Sequence, residues 1–187
     1  FQGGGQGASY HADGKSGLLY PTSAANTSIE LFETRVPALV IEKAFIPDSG
    51  GAGRRRGGLG QIIVSRKLFD DDHPCQVGLY PNGVMATMPG LFGGQGGSRA
   101  QAIVRNGSTG VKNLGIGGLT QFTTTRQRAE LSLAGGAGYG DPMTRDYTDV
   151  QADIDEGYIS VEGAERDYGC VVDSEGLIDR DASDRRR

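Results

Sequence analysis

Tryptophan is absent, and there are only two histidines and two cysteines in 187 residues. Each scarcity removes a class of function. Cys75 and Cys170 lie far apart and form no C-x-x-C pair, so neither a zinc ribbon nor a disulfide framework is expected, and a reduced, cytoplasmic setting fits best. With only His11 and His73 available, and no G-x-S-x-G elbow, a hydrolytic triad has little to draw on. No apolar run approaches the roughly 18 residues of a membrane span. The opening FQGGGQGASY lacks the charged and apolar regions of a signal peptide, and no membrane partner is expected. Positive charge is scarce as well: 13 Lys/Arg stand against 9 Asp/Glu through residue 140 and 6 against 14 beyond it, for a net charge of −4. Without an extended basic stripe, nucleic acid is not an expected partner.

Glycine is what the chain has in excess, with 32 residues against an ordinary share of roughly 7%. There is no G-X-Y period, which excludes collagen, and recurring clusters of Ile, Val, Leu, Phe and Tyr argue against wholesale disorder. The expected fold is α+β and mainly β: glycine-rich antiparallel sheets or a barrel-like meander, with two short C-terminal helices. ALVIEKAFI and LGQIIVSRKLF read as strands. Short apolar pieces separated by Gly-rich connections over residues 76 to 140 read as further strands. RDYTDVQADIDEG and SVEGAERDYG read as capped helices, the second with Ser160 as N-cap and Gly169 as stop. Residues 1–187 read as a single C-terminal domain or fragment of a longer subunit, since the chain starts without Met, and 175–187 as a flexible tail.

The motif with most to explain is PDSGGAGRRRGGLG, residues 47 to 60, which surrounds three arginines with glycine. An ordered turn is expected, with positive φ at Gly50, Gly51 and Gly53, and Arg54 or Arg56 held by carboxylates, Asp48 being a local choice. Gly14-Lys15-Ser16 mimics the end of a phosphate loop, but Gly7 precedes Gly14 by the wrong spacing and no strand launches it. His11 and Asp13 offer two metal-type ligands and no complete shell, so no metal site is assigned. His73 and Cys75 flank Pro74 after three aspartates, which reads as an exposed turn rather than a catalytic dyad. Glu30 and Glu33 in NTSIELFE either pair with Arg35 or with the arginine turn. Candidate substrate- or anion-binding residues are Asn26, Glu30, Glu33, Asp48, Arg54 and Arg56; the catalytic residues stay unassigned.

Read in order, GGGQGAS, DGKSG, PTSAANTSIELFE, IPDSGGAGRRRGGLGQ, GGAGYGDPMTRD and DVQADIDEGYISVEGAERDYGCVVD resemble the C-terminal part of the hydantoinase B family. That family includes the B subunits of N-methylhydantoinases, the matching half of 5-oxoprolinase, and the alpha-type subunits of acetone and acetophenone carboxylases. The resemblance implies a larger N-terminal portion of the B subunit and a hydantoinase A-type partner. The partner would use ATP and Mg²⁺ to phosphorylate a substrate oxygen, on a small cyclic amide or a ketone. It implies no cofactor in these residues, and a divalent metal, where one is used, in the N-terminal portion. Cyclic-amide hydrolysis is the first expectation, carboxylation the second, and a structural and assembly domain without catalytic groups the third.

Overall fold

Where β-branched and apolar residues cluster, strands form as the sequence predicts. The computed structural model describes residues 2–19, 27–107 and 110–187. β1 (Ala38–Phe45), β2 (Gln61–Lys67), β4 (Gln101–Asn106), β5 (Gly110–Asn113) and β7 (Gln127–Ser132) build one antiparallel sheet in the order β1-β2-β7-β4-β5. β3 (Cys75–Leu79) and β6 (Gly118–Phe122) form a separate antiparallel ribbon. Leu79, Ala102, Val104, Phe122 and Ala129 pack into the core between sheet and ribbon. The main sheet stays open, so of the two β arrangements expected it is the antiparallel sheets that form and not a closed barrel.

The glycine runs obey a different rule. Along 134 to 139 the backbone bonds outward with a repeat of three, not the two of a strand. Gly135 and Gly138 donate to the carbonyls of Ser98 and Gln95 (3.2 and 2.8 Å), and Gly136 and Tyr139 donate to those of Gly58 and Arg55 (2.8 and 2.9 Å). On a third side, the carbonyls of Ala134 and Ala137 accept from Gly5 and Ala8 (2.9 and 2.8 Å). Three neighbouring segments thus surround one central run. A three-residue period with no internal hydrogen bonds is that of an extended polyproline-II-type helix, whose backbone groups must all find partners elsewhere. Only small residues let backbones come so close on three sides: a Cβ on Gly138 would overlap the Ala52 carbonyl, and one on Gly57 that of Gly136.

Two helices follow the bundle as expected. α2 (Tyr147–Asp155) and α3 (Val161–Tyr168) pack Val150, Ile159, Ala164 and Tyr168 into a second core with Ala52 and Cys170. Ser160 Oγ accepts from the Gly163 N–H at 2.9 Å, and Gly169, at φ 62°, ends α3 in the left-handed conformation. Two further helices were not expected. α1 (Ile29–Arg35) is capped by Ser28, whose Oγ accepts from the Leu31 N–H, and buries none of its residues. α4 (Arg180–Asp184) lies within residues 175–187, the stretch expected to be a tail. β8 (Val171–Val172) pairs with β9 (Ile178–Asp179), Ser183 is fully buried, and Arg187 donates to the carbonyls of Tyr168 and Arg145 (both 2.9 Å). Among the described residues no helix is long and apolar enough to cross a membrane.

Candidate functional site

The arginine turn lies against the end of the glycine bundle, and its three arginines have three different fates. Arg54 is exposed and forms no ion pair among the described residues. Arg55 lies 3.6 Å from Asp149 of α2. Arg56 is buried: its Nε is 3.1 Å from Asp153 Oδ2, its Nη1 donates to the Gly57 carbonyl, and its guanidinium sits 5.2 Å from the centre of the Tyr158 ring. The ordered turn is therefore present, but its glycines serve close approach. None of Gly50, Gly51 and Gly53 has positive φ; a Cβ on Gly53 would lie 2.6 Å from the Tyr139 nitrogen. The left-handed residue is Asp48, at φ 58°. Its carboxylate does not reach the arginines. It accepts from the Ser160 N–H at 2.9 Å, tying the turn to the start of α3.

A second arginine completes the arrangement. Arg145 grips Asp13 with both terminal nitrogens (Nη1–Oδ1 2.9 Å, Nη2–Oδ2 2.8 Å), and Nη2 also reaches Asp153 Oδ2 at 2.8 Å. This is the two-pronged geometry for which arginine is suited and lysine is not. The Arg56 backbone N–H adds a 2.7 Å bond to Asp13 Oδ1. Burial pushes the Asp13 carboxyl up, but the hydrogen bonds and charge of Arg145 and the Arg56 amide outweigh it and hold it below the usual carboxylate range. Burial likewise opposes the charge on Arg145, and the Asp13 bond with the charges of Asp153 and Asp13 more than offsets it. Burial foremost raises the neighbouring Tyr168 phenol. Two carboxylates and two guanidiniums thus pair with each other, locking the loop of residues 9 to 15, the arginine turn and α2 together, while Arg145 Nε stays buried without a hydrogen-bond partner among the described residues.

The surface next to this knot carries groups that remain free for contact. The loop fixed by Asp13 presents Tyr10 and His11, whose rings meet edge to face at 5.0 Å. Tyr10 also meets Tyr139 at 6.2 Å, and Tyr139 meets Phe92 at 5.1 Å. Phe92, like Asp48, holds positive φ (54°) and is 78% exposed. Of the His11–Asp13 pair, Asp13 is engaged by Arg145 and the Arg56 amide. Gly14 and Ser16 serve packing too: Ser16 Oγ accepts from the Leu59 N–H at 2.9 Å. His73 sits on an exposed turn, and Cys75 faces a cavity beneath α1.

The remaining candidates are elsewhere. Glu30 is exposed on the first turn of α1, and Glu33, one turn on, accepts from the Val40 N–H at 2.7 Å rather than pairing with arginine. Asn26 lies outside the described residues. Asp13, Arg145 and Asp153, the centre of the knot, fall within the DGKSG, GGAGYGDPMTRD and DVQADIDEG stretches that carry the resemblance, yet no site role follows for them from the sequence. The usable signal was Asp153, an acid three residues after Val150 on the buried stripe of α2.

Comparisons with known proteins agree with this architecture. A family model described as hydantoinase B/oxoprolinase matches residues 1–142. The caprolactamase subunit beta of Pseudomonas jessenii is 30% identical over 162 residues, 85% of this chain and 27% of that protein. The uncharacterized protein MJ0963 of Methanocaldococcus jannaschii is 29% identical over 167 residues, 87% of this chain and 28% of its own length. Among solved structures, the ATP-dependent caprolactamase from Pseudomonas jessenii superimposes with a TM-score of 0.81 at 24% identity, over 98% of this chain and 32% of that one. Nucleotide-free acetone carboxylase gives 0.77 at 20% identity, over 98% and 29%. These two likenesses establish a shared fold. The chain spans less than a third of the length of each of these relatives.

Proposed function

The chain belongs to the hydantoinase B/oxoprolinase family, and from that premise we propose that it is the C-terminal portion of a B-type subunit in an ATP-dependent enzyme that opens a cyclic amide. In this reading ATP and Mg²⁺ act at an A-type partner, which phosphorylates the amide oxygen and so converts it into a leaving group. The rest of the B subunit supplies the catalytic groups and any divalent metal. The observation that carries the hydrolase over the carboxylase is the 30% identity to a caprolactamase subunit across 162 residues. Acetone carboxylase, at 20%, shares the fold. Within the subunit these residues act as scaffold and assembly surface, a role supported by the ion pairs that tie Asp13, Arg145, Asp153 and Arg56 to one another. Those charges are engaged with one another and not held ready for a substrate.

The test is reconstitution of the whole B-type subunit with its A-type partner, assayed for ATP-dependent ring opening of caprolactam, hydantoin and 5-oxoproline beside acetone with bicarbonate. Ring opening of any of the three supports the hydrolase reading. ATP-dependent carboxylation without ring opening replaces it with the carboxylase.

A further inference from the structure

A cavity of about 330 Å³ lies between α1, one face of the main sheet and the β3–β6 ribbon, at the small end of the range for small-molecule sites. Its walls are largely apolar, with Ile29 and Phe32 from α1, Ile63 and Leu131 from the sheet, and Phe122 from the ribbon. Its charges are one-sided: Lys43, Arg66 and Lys67 line it, and among the described residues no acidic one does. The backbone brings Lys43 there. Ala38 and Val40 face the cavity by ordinary alternation, and the register of β1 on β2 then shifts between Val40 and Glu42. This irregularity re-aims the strand so that Lys43, paired across from Ile63, joins the same face.

Of the three cations, Lys67 pairs with the Asp71 carboxylate. Arg66 Nη1 donates to the Lys67 carbonyl at 3.2 Å and has no carboxylate partner among the described residues. Lys43 is alike in this. Its Nζ donates to the Thr27 carbonyl at 3.1 Å and has no carboxylate partner among the described residues. Glu33 of α1, whose Oε1 accepts from the Val40 N–H, makes no ion pair with Lys43 and is not among the cavity-lining residues. A half-buried ammonium at the wall of an apolar cavity, satisfied only by a neutral carbonyl, favours an anion beside it.

We propose that this cavity binds a compact amphiphilic carboxylate, its hydrocarbon body against Phe32, Ile63 and Leu131 and its carboxylate on Lys43. The site is independent of the amide-hydrolase reading. Calorimetric titration of the intact protein with hexanoate and with hexanamide tests it, because the pair shares one shape and differs in charge. Hexanoate is expected to bind at least about tenfold tighter than hexanamide, and that ratio to fall to about one in Lys43→Met. Cys75, whose thiol lines the cavity, reports occupancy without any variant, since saturating hexanoate should slow its alkylation by iodoacetamide. Equal affinity for acid and amide in the wild type overturns the proposal. So does unchanged Cys75 alkylation at saturation, a retained preference in folded Lys43→Met, or no hexanoate binding up to about 10 mM.

Discussion

The main sheet and the glycine bundle meet the same requirement, that buried backbone groups be paired, by opposite uses of the side chain. In the sheet, Ile63 stands across from Leu131, and Ala102 across from Leu131 on the other side, so alternate residues project into the core and apolar contact holds the strands. In the bundle, Gly135, Gly136 and Gly138 project nothing, and three neighbours occupy the space that side chains would take. The sheet therefore tolerates exchange among apolar residues of similar size. The bundle tolerates no addition. Its stability lies in packing density and hydrogen bonds, and it requires another device, the Asp13–Arg145–Asp153–Arg56 knot, to fix the angles at which its segments leave.

That contrast is sharpest with a single methyl group. Gly138→Ala adds one where the Ala52 carbonyl already sits, while Ile63→Val removes one from the sheet. The addition should cost more than about 4 kcal/mol or prevent folding, and the removal about 0.5–1.5 kcal/mol. Urea unfolding of the two variants checks this, and similar losses would erase the distinction between the regions.

The next largest effect should come from Arg145→Met, which leaves Asp153 buried with Arg56 alone and frees Asp13 from its two-pronged partner. Removing one member of a buried charge network costs about 3–5 kcal/mol, measured by the same unfolding experiment. A loss below about 1 kcal/mol would show that the knot is an ornament of the bundle and not its anchor.

A smaller and pH-dependent effect is expected for Asp13→Asn. Asp13 has a lowered folded-state pKa, so its contribution is complete above the ordinary carboxylate value and is lost as pH falls through the lowered one. The variant should melt below the wild type at pH 7, and the gap should close on acidification below about pH 4. A gap constant from pH 7 to pH 3 would remove the ionised carboxylate from the explanation.

The contrast also explains how much was legible in the sequence. β1, β2 and the two late helices announced themselves, because ALVIEKAFI, Ser160 and Gly169 carry side-chain signals of strand, cap and stop. The bundle did not. A three-residue repeat made of backbone hydrogen bonds leaves no side-chain period, so the glycines of the arginine turn looked like hinges of positive φ when they are sites of close approach. The ionic knot was hidden for a different reason: Asp13 and Arg145 are distant in sequence, and the nearby Asp48 was the more visible partner for the arginines. α1 was not legible although Ser28 offered a cap, because the helix buries none of its residues and so leaves no apolar stripe. The C-terminal residues looked like a tail because Ser183 and Arg187 gain their burial and hydrogen bonds from elements far earlier in the chain.

Amide hydrogen exchange on the native protein asks most directly whether glycine backbone, without side chains, forms a core equal to the sheet. The amides of Gly136, Gly138 and Tyr139 donate to carbonyls of other segments and should exchange as slowly as those of Ile63 and Leu131 in the sheet, opening only with global unfolding. Exchange at those three amides near the rate of an unstructured chain, while the sheet stays protected, would contradict the bundle as a structural core.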